Sequence, residues 1–158
     1  MNNTALERSF MEVGVLPKDI TGAAQTGACV SMKNYRRLYI YIVQGAWAGG
    51  TSAVTLEQCT AVDGTDAKEL AFDYRYTKLA AGSAYTKTAV TSNTFDLDTA
   101  NTINVIEVKA EDLDVANNFD CVRVKADTPG ANADLLAIIY HLDGARYSQA
   151  AMPDPNTD

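Results

Sequence analysis

Residues 36–44, RRLYIYIVQ, constrain the fold more than any other stretch of the chain. Read with a period of two, Leu38, Ile40 and Ile42 point one way, while Arg37, Tyr39, Tyr41 and Val43 point the other. A run dense in β-branched and aromatic residues, without Gly or Pro, predicts a strand. Its aliphatic side belongs on a core. Its tyrosine side suits a surface that is partly covered and partly wet, because the ring is apolar and the hydroxyl is not.

The same alternation recurs along the chain. Residues 27–33 put Val30 and Met32 on one side, and 53–61 set Val54 and Leu56 against Thr55, Glu57 and Cys59. In 70–78, Leu70, Phe72, Tyr74 and Tyr76 oppose Ala71, Asp73, Arg75 and Thr77. Further strands are predicted at 85–91, 94–98, 101–110, 119–126 and 134–142, the last apolar on both faces and so expected at the centre of a sheet covered on both sides. His141 lies in it and reads as a satisfied core residue. Between the strands stand turn signals: the Gly-rich loop 45–50 around Trp47, Asp63-Gly64-Thr65-Asp66, and Asp127-Thr128-Pro129-Gly130. Ahead of them, 1–12 predicts a short helix, with Thr4 and Glu7 at capping-box spacing and Leu6 and Phe10 four apart. Gly14 and Pro17 end it. The last residues, 152–158 with two prolines, read as disordered. The expected organisation is an N-terminal arm (1–19), an antiparallel β-sandwich of jelly-roll type (20–147) and a flexible tail (148–158), an all-β fold.

Composition narrows the function. The chain has 158 residues, enough for one domain with a sizeable core, and a net charge of −7. Nucleic acid recognition needs a basic footprint, and only Lys33, Arg36 and Arg37 cluster, at the end of a strand. No apolar run reaches the roughly 18–20 residues of a membrane span, and the N-terminus lacks the apolar core of a secretory signal, so synthesis in the cytoplasm is expected. No nucleophile elbow, HExxH or dinucleotide fingerprint occurs. Asp63 and Asp66 begin like a calcium loop but lack its later ligands, the acids at 111–114 have no apolar pocket to shift them, and a single histidine cannot build a cupin metal site. The expectation is no enzyme, no metal and no cofactor.

The three cysteines, Cys29, Cys59 and Cys121, have no CxxC spacing, and an odd count prevents complete pairing within one chain. All three fall on the polar side of their strands. Either that sheet face is locally covered, or some of them face a neighbouring subunit and form intermolecular disulfides once outside the reducing cytoplasm.

The phrases "TGACVSMKNYRRLYIYIVQGAW", "AVTLEQCTAVDGTDAKELAF", "IEVKAEDLDVANNFDCVRVKA" and "DLLAIIYHLDGARYSQAAMPD" together resemble small capsid decoration (cement) proteins of tailed bacteriophages. The resemblance spans most of 13–152 and consists of strand and turn phrases, so it carries over no site residues. It implies a non-enzymatic protein made in the host bacterium and placed on the capsid exterior. There it would bridge major capsid subunits, with other copies of itself as further partners and with neither nucleic acid nor membrane. Contacts are expected from the arm (Leu6, Phe10, Met11, Val13, Val15) and from Trp47. The alternative is a carbohydrate-binding β-sandwich for host attachment, with Trp47 and the tyrosines as its stacking platform.

Overall fold

The computed structural model describes residues 5–82, 84–147 and 152–157. It is all-β, a sandwich of two antiparallel sheets. In chain order the strands are β1 (Phe10–Asp19), β2 (Gln25–Thr26), β3 (Val30–Ser31), β4 (Arg37–Trp47), β5 (Ser52–Cys59) and β6 (Lys68–Glu69). They continue with β7 (Tyr74–Leu79), β8 (Thr86–Ala89), β9 (Thr94–Leu97), β10 (Thr102–Lys109), β11 (Cys121–Ala126) and β12 (Asp134–Asp143).

The first sheet runs β1-β12-β4-β10-β7-β8, and the second β2-β11-β5-β6, with β3 beside β11 and β9 beside β5. Apart from β2–β3, β5–β6 and β7–β8, each of which stays within one sheet, successive strands cross from one sheet to the other. Four strands in the order β1-β12-β4-β10 thus face four in the order β3-β11-β5-β9. That interleaving is a jelly roll. β7 and β8, inserted between β5 and β9, widen the first sheet.

β4 is the strand predicted from RRLYIYIVQ, extended to Trp47. Leu38, Ile40 and Ile42 are fully buried, and across the sheet Ile106, Ile138, Tyr140 and Leu142 continue the same inner layer. Val54, Leu56, Val122 and Val124 meet them from the second sheet. Trp47 is therefore the last residue of a strand and not part of a loop.

Several expectations are corrected. Leu6 and Glu7 sit in a single 3-10 turn, Ala5–Glu7, and the chain is extended from Phe10 onward; Thr4 lies outside the described residues. The segment read as an arm becomes β1, paired antiparallel with β12 from Phe10↔Leu142 to Asp19↔Leu135. The helix fails because three residues of turn bury nothing, whereas a strand along β12 satisfies its backbone and places Val15 in the core. Within 70–78, Leu70 and Phe72 are buried but precede β7, while Tyr74 is 46% exposed. β12 is central but not covered twice: Ala137, Ile139 and His141 are only half-buried on its outer side. His141 is thus not a core residue.

The C-terminal residues read as disordered are docked. Met152 is buried in the core, the Tyr35 hydroxyl donates to the Pro153 carbonyl at 2.6 Å, and the Ser31 amide donates to the Pro155 carbonyl at 2.8 Å. Residues 148–151 of the expected tail lie outside the described residues.

Candidate interaction surface

The outer face of the first sheet follows from the same period-two reading that built the core. Registration aligns residues across strands in rows. One row is Met11, His141, Tyr39 and Glu107, and the next is Val13, Ile139, Tyr41, Val105 and Tyr76. A third holds Ala137, Val43, Ile103 and Lys78. Every one of these side chains points away from the sandwich interior, and most are apolar. Met11 is 57% and Val13 42% exposed, while Ile139, Tyr41, Val43, Val105 and Ile103 on the inner strands are half-buried. Among the described residues no strand of either sheet lies over this side.

The rim differs in chemistry. Arg37 pairs with Glu107, Lys78 flanks Ile103, and the Lys87 ammonium lies 3.6 Å from the centroid of the Tyr74 ring. Hydrogen bonding to Tyr39, then Glu107, holds the Arg37 guanidinium above its ordinary pKa. Burial, with Tyr85 and Tyr39 nearby, pushes the Tyr41 hydroxyl above its own. An apolar centre with a charged border is the anatomy of a protein interface. Strands about 4.8 Å apart and like-facing residues about 6.8 Å apart give the positions named in these three rows an area of roughly 400 Å². That matches the largest apolar patches on monomers, which are often functional.

Of the residues expected to make contacts, Met11 and Val13 lie on this face, Val15 is buried and Phe10 packs on the core. Leu6 is 69% exposed in the 3-10 turn. Trp47 stands opposite Asp134, half-buried, with its indole Nε1 enclosed and without an acceptor. The sequence signal for the face lay in the outward set Tyr39, Tyr41 and Val43; its extension over β12 and β10 depends on strand order, which no local pattern carries.

The polar candidates have structural partners. Asp63 Oδ1 accepts from the Thr65 amide at 2.9 Å and from its hydroxyl at 2.6 Å, bonds that hold its carboxyl below the usual pKa, while Asp66 accepts from Thr60. These bonds close a turn in which Gly64 has φ +85°. His141 touches the Tyr39 ring at 5.9 Å between centroids. At the open end of the sandwich a cleft of about 310 Å³ is lined by Arg75, Thr77, Thr86, Asp96 and Asn104. Asn104 Oδ1 accepts there from Thr77 Oγ1 at 2.6 Å. Among the described residues its walls carry neither a histidine nor a cysteine.

All three cysteines are buried, Cys29 to 7% and Cys59 and Cys121 to 0% exposure, in a cluster apart from the main core. The intermolecular disulfide expected at these residues presupposes exposed sulfurs, and within this chain none of the three is exposed. The parity was read correctly, and the polar side of the second sheet is covered there by the chain itself.

Fold and surface together define a jelly-roll protein with a broad apolar sheet face. No protein-family model and no curated protein matches the sequence. Among solved structures, the chain is similar to one described as infectious bursal disease virus, Gx strain. Identity is 12% and the TM-score 0.39, over 91% of this chain and 35% of that one. A mutant VP2 protein of the same virus, in derived T=1 particles, gives 9% identity and a TM-score of 0.26 over 94% of this chain and 44% of that one. The chain thus spans less than half the length of either. At such scores the likeness carries no argument about function, and the fold assignment rests on the strand order.

Proposed function

We propose that this chain is a non-enzymatic structural protein of a bacteriophage virion, seated on the capsid exterior and bridging major capsid subunits. The observation that carries the reading is the uncovered apolar face of the first sheet. Jelly rolls serve capsids, lectins and cupin enzymes alike, so the fold does not choose among them and the surface must. A cupin would need a cluster of metal ligands. A lectin would need a projecting aromatic platform, whereas Trp47 is half-buried and Tyr39, Tyr41 and Tyr76 lie half-buried within the sheet face. A flat face of apolar side chains with a charged rim suits protein.

Its size argues for a lattice. About 400 Å² is half of the roughly 800 Å² per partner found in stable pairwise interfaces, so a single contact would be weak. Repeated over a shell, or backed by a second contact such as Leu6, weak contacts add through effective concentration. The resemblance to decoration proteins points the same way and supplies the partner class, the major capsid subunits.

Co-sedimentation with capsids tests this. Wild-type protein should pellet at a stoichiometry near that of the major capsid protein. The double variant Met11→Asp/Val13→Asp should remain folded and stay in the supernatant. Equal pelleting of the two, or no pelleting of the wild type, would contradict the proposal.

A further inference from the structure

The second sheet carries a feature that shell binding does not require. Cys29, Cys59 and Cys121 form their own buried cluster with Val62 packed against it, and none is in a disulfide. Cys59 and Cys121 are direct partners across β5 and β11. Cys29 precedes β3 and packs in the same buried cluster as the other two. The cover is the turn after β5: the Thr60 amide donates to the Thr65 carbonyl at 3.0 Å, and Cys29 Sγ lies 3.6 Å from the Ala61 carbonyl oxygen. Beside it, Arg123 Nε donates to Glu57 Oε2 at 2.7 Å.

Backbone bonding fixes the type of strand pair the two cysteines make. The Val124 amide donates to Tyr140 Oη and its carbonyl accepts from Gly27, both away from β5. Opposite it, the Leu56 amide donates to Asn93 and its carbonyl accepts from Leu70, both away from β11. Val124 and Leu56 are therefore a non-hydrogen-bonded pair. Since the two kinds alternate, Cys121 and Cys59 are a hydrogen-bonded pair, with Cα atoms about 5.5 Å apart. A disulfide needs Cα atoms roughly 4.4–6.8 Å apart, which such a pair meets, and Cβ atoms roughly 3.5–4.5 Å apart, so the two side chains must draw together by about an ångström to bond.

We infer that this cluster is an internal redox site, which takes up one disulfide, Cys59–Cys121, and leaves one thiol in each chain. Cys29, at 7% exposure, is where a small oxidant arrives, since the other two are at 0%. Hydrogen peroxide converts its thiol to a sulfenic acid and is itself reduced, releasing one water. The Cys121 thiol attacks that sulfur; the S–O bond breaks, and hydroxide leaves with the thiol proton as a second water. Cys59 then displaces Cys29 from Cys121, passing its proton to the departing thiolate. In total two thiols lose two electrons and two protons, and one peroxide becomes two waters. Hydrogen bonding with Cys121, then burial, keeps Cys29 protonated at neutral pH, which makes the first step slow and leaves the cluster reduced in a reducing cytoplasm.

The test uses the whole purified chain. It is freed of reductant, incubated with hydrogen peroxide, then denatured in iodoacetamide and weighed intact. Untreated protein should take up three alkyl groups and oxidised protein one, with a peptide map joining Cys59 to Cys121. Cys29→Ser should slow the oxidation roughly tenfold or more, because the remaining thiols are enclosed. Three alkyl groups after peroxide, a sulfinic acid on Cys29, or disulfide-linked dimers would overturn the inference. So would a Cys29→Ser variant oxidised at the wild-type rate. None of these readouts depends on capsid binding, so the two proposals stand or fall separately.

Discussion

Tyr140 joins the two sheets at a single atom. Its ring is fully buried, and its hydroxyl accepts from the Val124 amide at 3.0 Å, so burial raises its pKa. Two glycines make room for it. A Cβ on Gly14 would stand 2.8 Å from the Tyr140 ring, and one on Gly27 would stand 2.7 Å from its oxygen and 2.9 Å from the Val124 carbonyl oxygen. Gly14 also lies at the register shift between Val13 and Val15, which lets Val13 face outward and Val15 inward. Gly14→Ala and Gly27→Ala should each lower stability by about 1–3 kcal/mol, read as a fall in melting temperature. The cost of Gly27→Ala should shrink when combined with Tyr140→Phe, because the offending oxygen is gone; strictly additive losses would show that the contact is not the cause. Asp134 is a second buried junction, its carboxylate accepting from Gln44 at 2.9 Å and Ser52 at 2.7 Å at 0% exposure. Asp134→Ala should cost roughly 2–3 kcal/mol in denaturant unfolding by stranding both donors. At this scale the sequence was legible in parity but not in burial. The side of the strand each cysteine occupies could be read, while the loop that covers them could not, and Gly14 read as a helix stop because its neighbour Tyr140 is 126 positions away.

Elements at the two chain ends show how pairing overrides local pattern. Leu6 and Phe10 have helical spacing, yet the backbone of β1 gains a full ladder along β12, and Phe10 packs on the core as part of that strand. Removing residues 1–19 should therefore unfold the protein, seen as lost strand signal in circular dichroism, and not merely detach an arm. The tail was read as disordered from its prolines, but its partners Ser31 and Tyr35 lie over a hundred residues upstream. Burial, then Asp154, pushes the Tyr35 hydroxyl up to about 12 from its ordinary value of 10.0. A raised pKa means the folded state holds that proton more tightly. The contribution to stability is complete below about pH 10 and is lost as pH rises towards 12. Subtracting the Tyr35→Phe absorbance titration from that of wild type should leave one tyrosinate transition near pH 12. A transition at 10 would mean that the tail does not cover the hydroxyl.

For the whole molecule, alternation gave the strand positions and the all-β class, since the period of two is a property of each strand alone. It did not give the partners of those strands. The apolar face exists only because Met11, Ile139, Tyr41, Val105 and Tyr76, drawn from five separate stretches, are brought side by side by the jelly-roll order. The central claim is that this face is the contact with a capsid. An electron-microscopy map of the intact particle measures it most directly. This chain should lie on the outer shell, with Val13, Tyr41 and Ile139 against major capsid subunits and the second sheet turned away. A map in which the chain is absent from the shell, or in which that face is open to solvent, would contradict it.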